Sequence, residues 1–382
     1  MTKIYIIRHA EAEGNLYRIV QGHMDSYVTS KGHLQIAALA ERFRDVHLDA
    51  LYTSDLRRTV ATAEAITKYH DLEMRKTARL RELCMGVCEG MSFGDMHHYD
   101  PVQMDHFNND PLRWSAEGAE TVSQCTDRIY SAISDIAEAH DGETVAVVSH
   151  GIAIRSLLVK LLGVASRDVR TKLPHGDNTS VSLLYYETGV FSVEYYNDNS
   201  HLPQELSTFA RQSWWRSEAG GRDAANLRYE SLDPAANSEL YLKCYADAWL
   251  TAHGDMKFFV PDLYLASAKS HFKDDPNSLL AVYAEDELAG MLELNPSKGA
   301  HAGYGWISLI YLKEEFRGRG LGVQPLGKAI IYYQGLGRKS VRLHVSSLNR
   351  GAVGFYEHMG FEILSTEAGA GAPLYLMEKK FN

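Results

Sequence analysis

Short apolar runs that each end on a polar or charged residue set the pattern of the first half of this chain. Ile4-Tyr5-Ile6-Ile7 runs into Arg8-His9, Ala50-Leu51-Tyr52-Thr53 into Ser54, and Thr144-Val145-Ala146-Val147-Val148 into Ser149-His150. Runs this short, rich in β-branched side chains and apolar on both faces, predict strands buried on both sides. Segments of helical period lie between them. Residues 30–44 carry Leu34, Ala37, Ala38 and Phe43 among polar positions, 56–69 form a second helix, 119–139 place Ile129, Ala132, Ile133 and Ile136 on one stripe, and a fourth helix runs to Leu162. Such alternation predicts an α/β sandwich whose ligands sit beyond the carboxyl ends of the strands. Arg8, His9, Ser54 and His150 all stand at such ends. Residues 180–195 suit a strand pair turning at Thr188-Gly189.

Residues 197–225 break this rhythm with polar, Gly-containing sequence, and 201–225 is read as a connection between two domains, 1–200 and 226–382. Trp214-Trp215 is expected to be buried against one domain. Beyond it, helices are predicted over 239–253, 262–272, 322–335 and 352–359. Strands are predicted over 279–283, 288–294, Tyr304–Leu312, 340–345, 361–363 and 373–377. The hairpin through Glu285-Asp286-Glu287 points to a mostly antiparallel sheet, hence a separate α+β domain.

The chain has 382 residues and a formal charge of -10. Residues 1–200 hold 20 Lys/Arg against 28 Asp/Glu, a net of -8. This argues against nucleic acid as a partner and requires any anion site to be a local pocket of positive groups. Four scattered cysteines (84, 88, 125 and 244) give neither a disulfide framework nor a zinc pattern, so no metal is expected. The N-terminus turns polar too early for a secretory leader and no apolar stretch approaches membrane-spanning length. The expectation is a cytoplasmic protein acting on small molecules away from membranes; a homo-oligomer is compatible with it.

Two histidines and several arginines at equivalent strand ends can serve phosphoryl transfer, because an unprotonated imidazole attacks phosphorus while guanidinium forks hold its oxygens. Satisfied structural histidines are the alternative. The sequence then resembles the histidine phosphatase superfamily, which includes the cofactor-dependent phosphoglycerate mutases. The matching motifs are Arg8-His9-Ala10-Glu11-Ala12-Glu13-Gly14-Asn15, Gln21-Gly22 with Asp25 and Thr29-x-x-Gly32, Ser54-Asp55-Leu56-Arg57-Arg58-Thr59, Leu80-Arg81-Glu82 with Glu89-Gly90, and Val148-Ser149-His150-Gly151. The resemblance implies a three-layer α/β/α domain in which His9 is the nucleophile, Arg8, Asn15, Arg58 and His150 form the phosphate pocket, and Glu82 is the general acid/base. Ala10 and Ala12 depart from the family's glycine and threonine, leaving the charged pocket intact. Arg57 is read as a surface-pairing residue, and His23, His97, His98 and His106 as loop or surface histidines. The lid, residues 92–118, carries Arg113 as its one Lys/Arg residue against four Asp and one Glu, which favours hydrolysis over a mutase reaction.

In the second half, Arg317-Gly318-Arg319-Gly320-Leu321-Gly322 follows a strand and opens a helix, a setting for an anion. The glycine spacing does not fit a dinucleotide fingerprint, and a P-loop reading of Gly322–Lys328 fails because Ala329 offers no hydroxyl. This half resembles the GNAT N-acetyltransferases through Arg317-x-x-Gly320-x-Gly322 and through Asn349-Arg350-Gly351-Ala352-Val353-Gly354-Phe355-Tyr356-Glu357 followed by Gly360-Phe361. The resemblance implies acetyl-CoA as co-substrate, held by the loop Arg317, Gly318, Arg319, Gly320, Leu321 and Gly322, by backbone of Ile310 and Leu312, and by Asn349. Tyr356 would protonate the departing thiolate. Glu293 is a candidate base for the amine, with a solvent-facing strand carboxylate as its plainer reading. Together the halves predict a bifunctional phosphomonoester hydrolase and N-acetyltransferase. The alternatives are a phosphatase regulated by an acetyl-CoA-binding domain, or a mutase-type phosphotransferase in the first half.

Overall fold

The computed structural model describes residues 1–211 and 225–381, with the side chain of residue 211 excepted. Trp214 and Trp215 therefore lie outside the described residues, as does most of the expected connection. The chain divides into two compact units, Met1–Met91 with Met96–Arg216, and Ser92–Asp95 with Ser217–Asn382.

The first unit is a six-stranded sheet of β1 (Thr2–Arg8), β2 (Ala50–Thr53), β3 (Met74–Lys76), β4 (Thr144–Ser149), β5 (Val181–Glu187) and β6 (Val190–Asp198) in the order β3-β2-β4-β1-β5-β6. β3, β2, β4 and β1 run parallel, whereas β5 and β6 are antiparallel. Strand period decides which face each side chain serves. Ile4, Ile6, Val145 and Val147 pack with Ile129, Ile133 and Leu157 of the helices Val122–Ala139 and Gly151–Leu162. Tyr5, Ile7, Ala146 and Val148 pack on the other face with Leu39, Phe43, Ala63 and Ile66 of the helices Ser30–Phe43 and Arg57–Thr67. The α/β sandwich read from the residue pattern, and the three-layer α/β/α form that the resemblance implies, are thus what is observed. β3 escaped the sequence reading because it is a three-residue edge strand without an apolar run. Within the span read as a lid, helices run Phe93–Tyr99 and Pro101–Asn109.

The second unit is a seven-stranded sheet of β7 (Leu227–Ser231), β8 (Leu279–Ala284), β9 (Glu287–Asn295), β10 (Tyr304–Leu312), β11 (Ser340–Ser346), β12 (Glu362–Glu367) and β13 (Leu374–Lys380). The order is β12-β13-β11-β10-β9-β8-β7, antiparallel except for β10 against β11. The helices Ser238–His253 and Pro261–Asp274 cover the sheet through Tyr241, Cys244 and Ala268. This is the expected α+β domain. β7 was not foreseen: it is an edge strand whose sequence, LRYES, shows no continuous apolar run. Among the described residues no helix is long and apolar enough to cross a membrane.

Candidate active sites

In the first unit, the register Arg8↔Ser149 sets the ends of β1 and β4 side by side. The next residue on each strand is a histidine, and the rings of His9 and His150 lie 5.3 Å apart between centroids. His9 Nδ1 is 2.7 Å from the carbonyl oxygen of Ala10. A carbonyl only accepts, so Nδ1 carries the proton and Nε2 keeps its lone pair. Burial, then the charges of Arg58 and Arg8, hold the His9 pKa well below the ordinary histidine value. The same causes act on His150: burial first, then Arg58 and His9. Both rings are therefore neutral at physiological pH, and His9 presents an unprotonated nitrogen.

Arg58, on the first turn of its helix and 1% exposed, donates to the carbonyls of Gly22 (2.7 Å) and Met24 (3.0 Å). Gly22 has φ +47, and a Cβ there would lie 2.4 Å from Glu89 Oε1, so the turn that aims its carbonyl at Arg58 requires glycine. Burial pushes the Arg58 pKa down to about 10, which leaves it charged at neutral pH. Arg8 donates through Nη1 to Gly176 O. Gly151 makes room beside it, since a Cβ at that position would lie 3.1 Å from Arg8 Nε. Four buried nitrogens of this site find no partner among the described residues: Arg8 Nε, Arg58 Nε, and Nδ1 and Nε2 of His150. Two guanidinium N–H groups and an imidazole beside a lone-pair nitrogen make a receptor for a phosphoryl group.

Glu82 lies at the start of the helix that follows His150. Oε1 accepts from Leu83 N (2.9 Å) and Ala153 N (2.8 Å), and Oε2 from Ile152 N (3.0 Å). It thereby takes up two of the amides that a helix N-terminus leaves unpaired. One lone-pair direction on Oε2 remains for a proton or a substrate. Asn15 Oδ1 accepts from Ala12 N (3.0 Å) and lies 3.5 Å from Asn178 Nδ2. Arg57 pairs with Asp25 at the surface, in line with its sequence reading. His23 lies in a turn, within its loop reading, but it is partly buried and its Nε2 sits 2.9 Å from the carbonyl of Glu82. His97 and His98 are exposed.

The sequence reading missed the loop Gly176–Thr179. Asn178 Nδ2 donates to His9 O (2.9 Å), and Thr179 N donates to the carbonyls of Arg8 (3.1 Å) and His9 (3.3 Å). β5 is antiparallel, so its amino end meets the rim to which the parallel strands bring their carboxyl ends. A search confined to carboxyl ends passes over it.

In the second unit, the ladder between β10 and β11 runs from Tyr304↔Ser340 to Ile307↔Leu343 and stops, although both strands continue. A register shift between Ile307 and Leu309 marks the parting on the β9 side. Among the described residues, Leu309, Ile310, Tyr311 and Leu312 pair with β9 alone, an edge whose backbone groups suit an extended amide-bearing ligand. Gly318 and Gly320 both have φ +70 with nothing within 4 Å of a Cβ, so conformation rather than space demands glycine there. Their loop leads to the helix Val323–Gly335, and turned amides before a helix N-terminus suit a pyrophosphate. These features fit acetyl-CoA.

Arg317 is spent within the protein, donating to Leu312 O, Thr251 Oγ1 and Asp247 Oδ2, so it braces the loop. Asn349 Oδ1 caps its helix by accepting from Ala352 N at 3.1 Å. Tyr356 is 9% exposed, packs edge-on against Phe355 and Phe361, and has its pKa raised by burial, so it is a neutral phenol able to give up a proton. Glu293 is not solvent-facing: it is 2% exposed, accepts from Tyr241 OH at 3.0 Å and faces His271 Nδ1 at 3.3 Å.

Residues 4–199 match the histidine phosphatase superfamily (branch 1). The chain belongs to that superfamily. Residues 236–361 match the acetyltransferase (GNAT) family, so this histidine phosphatase superfamily member carries a fused GNAT domain. A Salmonella choleraesuis protein described as probable phosphoglycerate mutase GpmB is 31% identical over 210 residues, covering 53% of this chain and 95% of that protein. The structure of Bacillus stearothermophilus YhfR superposes with a TM-score of 0.51 at 31% identity, over 53% of this chain and 99% of that one. The first unit thus supports phosphotransfer or phosphatase-like chemistry of the phosphohistidine type, and the second GNAT-type acyl transfer with acetyl-CoA as the implied donor.

Proposed function

We propose that the first unit moves a phosphoryl group from a small phosphomonoester onto His9 Nε2 and from there to an acceptor. The observation that carries this is the His9–Ala10 hydrogen bond, which leaves Nε2 unprotonated beside the unpartnered nitrogens of Arg8, Arg58 and His150. Arg8 and Arg58 hold the phosphoryl oxygens, His150 donates to one of them, Asn15 lines the pocket, and Glu82 transfers the leaving group's proton. The name of the Salmonella relatives, probable phosphoglycerate mutase, supports a phosphoglycerate as donor and acceptor, ahead of the plain hydrolysis expected from the sequence. Hydrolysis is the second reading, and the acidic lid 92–118 favours it. The deciding experiment supplies 3-phosphoglycerate with a trace of 2,3-bisphosphoglycerate. A mutase gives 2-phosphoglycerate and a hydrolase gives inorganic phosphate. His9→Ala should abolish acid-labile enzyme phosphorylation and both products; full activity in that variant would refute the mechanism.

For the second unit we propose acetyl transfer from acetyl-CoA to a small amine, with Tyr356 protonating the departing thiolate. The open edge of β10 beside the Gly318 and Gly320 turn supports this reading. Thiol release with a panel of amines tests it. Acetyl-CoA binding without turnover on any amine would favour the regulatory alternative.

A further inference from the structure

Residues 206–210 fall within the span read as an interdomain connection, yet they are fastened to the rim of the phosphotransfer pocket. Gln35 Nε2 donates to Leu206 O (2.7 Å) and Thr208 Oγ1 (3.1 Å), and Thr208 Oγ1 donates to Glu11 Oε2 (3.1 Å). The centre of the fastening is Asp177, which is 4% exposed. Its Oδ1 accepts from the backbone amides of Asn178 (2.8 Å), Thr208 (3.1 Å) and Phe209 (3.4 Å). Its Oδ2 accepts from Ser207 Oγ (2.5 Å) and Asn199 Nδ2 (3.2 Å). Five donors on one carboxylate exceed what a turn cap alone requires.

The neighbours of Asp177 show what the knot controls. On one side Gly176 O receives Arg8 Nη1. On the other, Asn178 and Thr179 hold the carbonyls of Arg8 and His9. Thr179 does so at φ 59, a left-handed conformation that a β-branched residue adopts only when its surroundings impose it. The tethered segment then carries Phe209 to 5.5 Å from the guanidinium carbon of Arg8, within cation–π reach. Beyond the strand ladder that holds its backbone, Arg8 is thus fixed at its carbonyl, at one guanidinium nitrogen and across its face, and these three restraints pass through residues 176–179 or 207–209.

We propose that Asp177 is a positioning residue for phosphoryl transfer, acting through the Ser207–Phe209 segment and the Gly176–Thr179 loop to hold Arg8 and His9 in line. This rests on the proposed phosphohistidine chemistry at His9, and it extends the site past residue 199, where the family match ends. Asp177 also acts on Arg8 through space as a counter-charge, ahead of Glu82, which makes the inference testable in a specific way. Removing a negative charge beside a cationic pocket should by itself tighten anion binding. Losing alignment should instead lower turnover, since a misplacement near 1 Å costs about a hundredfold.

The test uses the full chain, with p-nitrophenyl phosphate for turnover and tungstate for anion affinity. Wild-type turnover of p-nitrophenyl phosphate, or of 3-phosphoglycerate primed with 2,3-bisphosphoglycerate where water is excluded, checks the underlying reading, and the absence of both would refute the phosphotransfer chemistry and this inference with it. Given that turnover, Asp177→Asn should lower kcat tenfold to a hundredfold, about the scale of a small misalignment, while tungstate binds as well as before or better. An unchanged kcat would overturn the inference. Should Asp177→Asn fail to fold, Ser207→Ala removes one hydrogen bond of the knot and should still lower kcat measurably; unaltered kcat there would overturn it. Phe209→Leu should reproduce part of the loss and Phe209→Tyr should restore it. Equal kcat in all three forms of residue 209 would refute the link from Asp177 to the face of Arg8.

Discussion

His201 should make the first unit lose stability in acid through one identifiable ring. Arg42 Nη1 lies 3.2 Å from its Nδ1, and Thr179 Oγ1 lies 3.1 Å from its Nε2. A guanidinium only donates, so Nδ1 must accept and the ring proton sits on Nε2, directed at Thr179. A second proton on Nδ1 would face the Arg42 cation. Burial, then Arg42, lower the His201 pKa from 6.5 to about 4, with Asp198 and Asp177 opposing. The sign follows from proton binding: between pH 6.5 and 4 the unfolded chain holds more protons here than the folded one, so stability falls as pH falls through that window. Integrated, the loss is about 1.4 kcal/mol at pH 5.5 and about 3 kcal/mol at pH 4, relative to neutral pH. His201→Gln keeps an acceptor for Arg42 and a donor for Thr179 but does not titrate. Calorimetric unfolding of both proteins, following the transition that tungstate raises, should show the wild type losing about 3 kcal/mol more than the variant between pH 7.5 and 4. Parallel profiles would refute the assignment. Because Thr179 N holds the carbonyls of Arg8 and His9, the acid limb of kcat should also shift in the variant.

Three further outcomes are expected. Gly151→Ala should weaken tungstate binding about tenfold by calorimetry, because the new Cβ, 3.1 Å from Arg8 Nε, must move a buried guanidinium, and that much affinity is about 1.4 kcal/mol. Tyr356→Phe should lower acetyl-transfer kcat at least roughly tenfold while acetyl-CoA affinity stays level, as a general acid contributes to rate rather than binding; thiol release and calorimetry separate the two. Glu293→Gln, which preserves shape, should lower kcat about a hundredfold and flatten its acid limb if the carboxylate takes the amine's proton. A change in melting temperature alone would leave it a structural partner of Tyr241 and His271.

What could be read from the sequence was what period and covalent neighbourhood encode. Alternation along β1 and β4 assigned Ile4 and Ile6 to one face and Tyr5 and Ile7 to the other, and the residues after those strands became the two site histidines. Gly318 and Gly320 were legible because a left-handed φ selects a residue type. Side-chain direction in three dimensions was not legible. Arg317 looked like a cofactor ligand until its guanidinium proved tied to Leu312, Thr251 and Asp247. Glu293 offered an exposed-carboxylate reading because nothing in its own strand tells that Tyr241 and His271 close over it. His23 and the Gly176–Thr179 loop reach the pocket through contacts remote in sequence, such as Asn178 to His9, which no local pattern carries.

The pocket also shows how a half-chain with a net charge of -8 could receive the phosphoryl group proposed for it. Two buried guanidinium groups would be costly without nearby negative charge, and mobile carboxylates would pair with them and block the anion. Here the compensating acids are restrained by the backbone. Glu82 accepts from three backbone amides, Asp177 from three, Glu89 from those of His23 and Met85, and Asp25 from that of Arg57. Each offsets Arg8 or Arg58 through space. Among the described residues, however, none forms an ion pair with either arginine, and both Nε groups remain unpartnered. Fixed acids at a distance keep the arginines buried and aimed, whereas the same charges on freely rotating side chains would neutralise them. The local restraint of each carboxylate, more than the sum of charges, decides whether this acidic surface can receive an anion.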